Sequence, residues 1–107
     1  MKADGDCYFT VGKMVLDEVL PISGTSRDDY RIIHAKVSGQ GSLTGTRYGH
    51  AWLEFNDALV IDKSNGNDIV MPKRLYYKIG KINPNNRREY FSYSWSEAKD
   101  KSLSIPL

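Results

Sequence analysis

One cysteine, two histidines and four prolines are all that 107 residues supply of those types. Each scarcity removes a class of protein. A single cysteine permits no intramolecular disulfide framework, so a hydrophobic core must hold the fold and the chain suits a reducing cytosol. One Cys and two His also fall short of a ligand spacing such as C-x-x-C or H-x-x-x-H, so no metal and no other cofactor is expected. Long apolar runs are missing as well; the longest are far too short to span a bilayer. The acidic turn Asp4-Gly5-Asp6 stands where a signal peptide would need a basic and then an apolar stretch. These absences point to a soluble cytoplasmic protein without membrane contact.

What is present is an ordinary globular composition, 40% hydrophobic and 26% charged, which at this length reads as one domain over residues 1–107. The net charge of +2 is too small to argue for nucleic acid, yet it is unevenly placed. Residues 1–62 carry six Lys/Arg against nine Asp/Glu, and residues 63–107 carry nine against four. Lys73, Arg74, Lys78, Lys81, Arg87 and Arg88 fall in one segment with Tyr76 and Tyr77 among them. Basic residues interleaved with aromatics suit a nucleic-acid or protein contact; a solvated helix face and loop is the plainer reading.

The spacing of Val11, Val15 and Val19, extended by Phe9, Leu16 and Leu20, predicts a mostly buried helix from Cys7 to Leu20. Asp4 or Asp6 would cap it and Pro21 would stop it. Gly12 inside it calls for close packing against a neighbouring backbone. Strands are expected over Tyr30–Ser38, His50–Phe55, Ala58–Asp62 and Arg88–Ser94, with a glycine-rich loop at Gly39–Gly49 and a turn at Ser64–Asp68. A helix from Pro72 to Ile79 and a second opened by the capping box Ser94-Trp95-Ser96-Glu97 complete the chain. The fold class is α+β, with an antiparallel sheet packed on a buried N-terminal helix.

The residues that carry chemistry are few enough to weigh singly. A nucleophilic cysteine needs a helix dipole or an imidazole to yield its thiolate, and the imidazole needs a carboxylate or amide to fix its tautomer. Cys7 is expected in the first turn of the first helix. His50 opens one strand and Asp62 closes the next. In a hairpin turning at Asn56-Asp57, residues whose numbers sum to about 113 face each other, and His50 and Asp62 fall one short of that. Strand alternation sets His50, Trp52 and Glu54 on one face. His34 is an alternative base, and Asn65, Asn67 and Glu54 are alternative orienters. Trp52 either walls the site or packs the sheet. Gly39–Gly49 is either a substrate lid or an ordinary loop.

"GDCYFTVGKMVLDEV", followed by "YRIIHAKVSG", "RYGHAWLEF" and "ALVIDKSN", resembles the transglutaminase-like branch of the papain-like cysteine hydrolases. The match runs over about residues 5 to 65, and "GHAWLEF" followed by "VID" is its most specific piece. The resemblance implies Cys7 as nucleophile, His50 as base and Asp62 as the orienting carboxylate. Two places depart from the family pattern. Lys63 and Ser64 stand where Pro and Thr often follow the Asp, and no Gln precedes Cys7 to serve an oxyanion hole. Backbone N–H groups at the helix start would then fill that role. "DGDCYF" also resembles the nucleophile motif of the ovarian-tumour-type deubiquitinases, but that family places its His near the C-terminal end of the domain, and His50 is mid-chain. The expectation is a cysteine-dependent hydrolase or acyltransferase acting on an amide bond of a peptide or protein. The competing expectation is a non-catalytic module of the same fold that uses residues 73–88 for protein or nucleic-acid contact.

Overall fold

The computed structural model describes residues 3–39, 45–63 and 68–104, with side chains from residue 10 to residue 101. Strand β1 (Tyr30–Ser38) lies between β2 (Arg47–Phe55) and β5 (Tyr90–Ser94). Beyond β2 come β3 (Leu59–Asp62) and β4 (Ile69–Pro72), giving the order β4-β3-β2-β1-β5 with every pair antiparallel. Side chains alternate between the two faces, and helices cover both.

On one face Ile32, Ala51, Leu53 and Ile61 meet Val11 and Val15 of helix α1 (Ala3–Leu16) and Trp95 and Ala98 of helix α3 (Trp95–Ser104). On the other, Ile33, Ala35, Val37, Trp52 and Val60 pack with Ile82 and with Tyr76 and Tyr77 of helix α2 (Lys73–Gly80). Ala51, Trp52, Leu53 and Glu54 are consecutive and all buried, as a strand covered on both sides must be. The α+β class and the antiparallel sheet against a buried helix are as the sequence reads. Capping is also as expected at α3, where Ser94 N–H donates to Glu97 Oε1 and Glu97 N–H to Ser94 Oγ.

Three differences from these expectations exceed a shift of one or two residues. Helix α1 starts at Ala3, so Asp4 and Asp6 lie inside it rather than capping it, and Cys7 falls in its second turn, not its first. It also ends four residues before the expected Leu20. Glu18 takes a left-handed φ of 58°, and Glu18 N–H bonds Val15 C=O while Val19 N–H bonds Met14 C=O, a Schellman ending built without glycine. Arg27 and Lys99 hold the Glu18 carboxylate at that turn, and Val19 is left 48% exposed. The second difference is β4, an unexpected strand between the turn expected at Ser64–Asp68 and the helix expected from Pro72; residues 64–67 of that turn lie outside the described residues. The third is the loop before β2, which is shorter than Gly39–Gly49 because Arg47–Gly49 already pair with Lys36–Ser38.

The β2–β3 hairpin holds a detail of larger consequence. Asn56 and Asp57 both have positive φ (51° and 56°), and Ala58 N–H closes the turn onto Phe55 C=O. The ladder then pairs Phe55 with Leu59, Glu54 with Val60 and Leu53 with Ile61. Ala58 is therefore one residue more than a two-residue loop, and the partners sum to 114 rather than about 113. A one-residue change of register turns every side chain of a strand to the opposite face. With Ala58 in place, Asp62 shares the face of His50; without it, Asp62 would point at α1. Deleting Ala58 is expected to lower stability in urea unfolding by at least about 3 kcal/mol, because it turns a carboxylate into an apolar layer. Ala58→Gly keeps the residue count and should cost no more than about 1 kcal/mol; equal losses would refute the register argument.

Candidate functional site

His50 enters the site from the first half of β2 and Asp62 from the end of β3. Asp62 Oδ2 lies 2.8 Å from His50 Nε2, and the two residues are 5% and 4% exposed. The same oxygen accepts the Tyr76 hydroxyl of α2 at 2.7 Å. The Tyr48 ring stands edge-on to the imidazole at 5.9 Å between centroids, and Trp52 is at the same distance on its other strand neighbour's side. His50, Asp62 and Tyr76 thus form one buried hydrogen-bonded unit drawn from three elements.

Trp52 separates this unit from a second one. Its indole is wholly buried and donates to Glu54 Oε2 at 3.0 Å. Glu54, 1% exposed, also accepts the Tyr77 hydroxyl and pairs with Lys73 at 3.2 Å, and Tyr77 bonds Tyr90. Burial, then the bond to Glu54, pushes the Tyr77 hydroxyl far above its ordinary pKa. Burial alone would lower Lys73, but its bonds to Asp57 and Glu54 outweigh that and hold it charged. A depression of about 440 Å³ opens beside this second unit, lined by Pro72, Lys73, Arg74, Tyr77 and Pro84 among others. Its lining includes neither His50 nor Asp62.

Of the residues singled out from sequence, His50, Asp62, Trp52 and Glu54 come together on one face. The Cys7 side chain lies outside the described residues, as do Asn65 and Asn67. The helix that carries Cys7 buries Val11 and Val15 against Ala51 and Leu53, the face opposite His50. The alternative base, His34, lies on the α1 face with its ring 5.3 Å from Tyr93. Burial, helped by the Lys101 ammonium, lowers it to about 4. Sequence reasoning leaves Tyr76 and Tyr77 on a solvated helix face or a basic contact surface and does not place them in the site. In helix α2 Arg74, Leu75, Lys78 and Ile79 are exposed and the two tyrosines turn inward; adjacent aromatics in a helix rich in Lys and Arg were the available signal. Lys73 likewise faces Glu54, so the basic segment is not one continuous surface.

Comparison with protein-family models, with curated proteins and with solved structures finds no match to this chain. Among the described residues no helix is long and apolar enough to cross a membrane, and no cluster of three His, Cys, Asp or Glu could hold a metal ion.

His34 supplies a pH test of the sheet. Its folded pKa of about 4 lies below the free value of 6.5, so between the two the unfolded chain takes up a proton that the folded chain refuses. Its neutral form contributes fully above about pH 6.5, and that contribution is lost as pH falls toward 4. His34→Leu is expected to flatten the fall in stability over this window by about 2 kcal/mol, allowing for partial solvent screening. Parallel wild-type and variant urea curves from pH 7 to 4 measure it; identical slopes would exclude the burial of a neutral imidazole.

Proposed function

We propose that the chain is a cysteine-dependent hydrolase or acyltransferase of the papain-like, transglutaminase-like type, acting on an amide bond of a peptide or protein. Cys7 is the nucleophile, His50 the base and Asp62 its orienting carboxylate. The observation that supports this reading most is the buried His50–Asp62 bond. Removing an imidazole and a carboxylate from water is expensive, and a well-packed apolar pair would serve the core as well. Such pairs are characteristic of sites that must move a proton.

The hydrogen bond also selects the chemistry. Asp62 accepts from Nε2–H, so the neutral ring carries its basic lone pair on Nδ1. Nδ1 takes the thiol proton, and the thiolate attacks the amide carbonyl carbon. The tetrahedral intermediate collapses as the imidazolium returns the proton to the leaving nitrogen, leaving a thioester on Cys7. His50 then deprotonates water, giving hydrolysis, or an amine, giving transfer. With Cys7 in the second turn of α1 the helix dipole contributes little, so activation rests on His50. His34 is a poor substitute: at about 4 its pKa is far below that of a thiol near 8.5.

The thiol has to reach the imidazole round the end of the sheet, since α1 packs on the other face. The β2–β3 ladder runs from Phe55↔Leu59 to Leu53↔Ile61, so His50 stands beyond its last pair. The non-catalytic alternative keeps Arg74, Lys78, Lys81, Arg87 and Arg88 exposed for a contact, while Tyr76, Tyr77 and Lys73 of the same segment bond buried acids.

Alkylation of Cys7 by iodoacetamide across pH 5 to 10 tests the proposal. The wild-type chain is expected to react with an apparent pKa at least about one unit below the ordinary thiol value of about 8.5. His50→Ala should return it to about 8.5, with circular dichroism confirming the fold. An ordinary pKa in the wild type, unchanged by His50→Ala, would favour a binding module.

A further inference from the structure

We infer that Tyr76 is a positioning residue for the His50–Asp62 pair, a role that rests on the proposed use of that pair as base and orienter. Its hydroxyl donates to Asp62 Oδ2 at 2.7 Å, the oxygen that also takes His50 Nε2 at 2.8 Å. A carboxylate at the end of a strand can turn about its last bond and offer either oxygen. Two donors converging on one oxygen, from different elements, remove that freedom and set the plane in which the imidazole is held.

The hydroxyl is itself fixed. The Tyr76 ring lies against Trp52 with centroids 5.1 Å apart. Its helix is tied down at one end by Lys73 on Glu54 and Asp57, and at the other by Gly80, where a Cβ would stand 3.0 Å from the Ile82 side chain. Tyr76 also shares the charge of Oδ2. Less negative charge on that oxygen is then left to stabilise an imidazolium. Among the described residues the titratable groups facing His50 are Asp62 from β3, Tyr48 from its own strand and Tyr76 from α2. Glu54 and Lys73 lie beyond Trp52.

The neighbouring residue provides the matched control. Tyr77 also sends a hydroxyl from α2 to a buried carboxylate, but to Glu54. Tyr76→Phe and Tyr77→Phe therefore remove the same kind of bond from the same helix, and only the first touches Asp62. With histidine rings isotopically labelled, the chain gives two imidazole titrations by NMR, and His34→Leu assigns them. Tyr76→Phe is expected to raise the His50 midpoint by about half a unit to one unit and to move the pH profile of Cys7 alkylation with it. Tyr77→Phe should leave both in place, and in an Asp62→Asn background the effect of Tyr76→Phe should vanish. In the wild-type chain the Tyr76 hydroxyl proton should exchange slowly with water, a measurement that needs no variant to fold. An unmoved His50 midpoint in Tyr76→Phe, an equal shift in Tyr77→Phe, or fast hydroxyl exchange would overturn the assignment. If His50→Ala leaves Cys7 alkylation unchanged, the hydrolase proposal fails, while the His50 titration still decides whether Tyr76 governs the pair.

Discussion

Two carboxylates, Asp62 and Glu54, are buried on the same face of one sheet, and the structure on that side is built around satisfying them. An uncompensated buried charge costs several kcal/mol, enough by itself to consume much of a small domain's stability. Compensation comes from α2, which sends Tyr76 to Asp62 and Tyr77 and Lys73 to Glu54. Lys73, the two tyrosines and Gly80 turn toward the sheet; Leu75 and Ile79 remain exposed. The helix is therefore located by polar contacts whose geometry is narrow. The opposite face works differently. There α1 and α3 bury Val11, Val15, Trp95 and Ala98 on Ile32, Leu53 and Ile61, contacts that are non-directional and scale with area. One side of the sheet supplies cohesion, and the other fixes directions.

That division depends on register. The acids share a face only because Ala58 adds a residue to the β2–β3 hairpin. Asn56 and Asp57 accept left-handed backbone more readily than most residues, so a tight turn forms there without glycine. The extra residue then sets the parity of all of β3. A loop of two residues would satisfy the same turn chemistry and bury the same aliphatics, yet it would leave His50 and Asp62 back to back.

Much of this was legible in the chain. β1 was read with both ends correct, because a β-branched and alternating run is bounded by a polar loop and a glycine. The capping box at Ser94 and Glu97 was equally plain, since it is a local exchange of two hydrogen bonds. Proximity of His50 and Asp62 followed from the spacing of the strands, although the reason, a one-residue excess over the simple hairpin, did not. What the sequence hid was set at long range. Helix α1 stops at a left-handed Glu18 that Arg27 and Lys99 hold from 9 and 81 residues away. β4 is a four-residue edge strand ending in proline, with flanking Asn, Gly and Asp that signal turn more strongly than its two β-branched residues signal strand. Tyr76 and Tyr77 read as part of a solvated or basic helix face because sequence order shows the charges beside them and not the acids beneath.

The same polar geometry bears on how a thiol would be activated. A base that must swing into place spends part of its catalytic advantage on ordering, whereas one held before the substrate arrives does not. The ring of His50 is fixed by Asp62, which is fixed by Tyr76, whose helix is fixed in turn by Glu54. Orientation of the imidazole is thus settled during folding, from the side of the sheet away from α1. The thiol would come from the opposite layer, where α1 is held by apolar packing, so a cysteine brought by α1 would have to round the end of the sheet to meet a base already aimed.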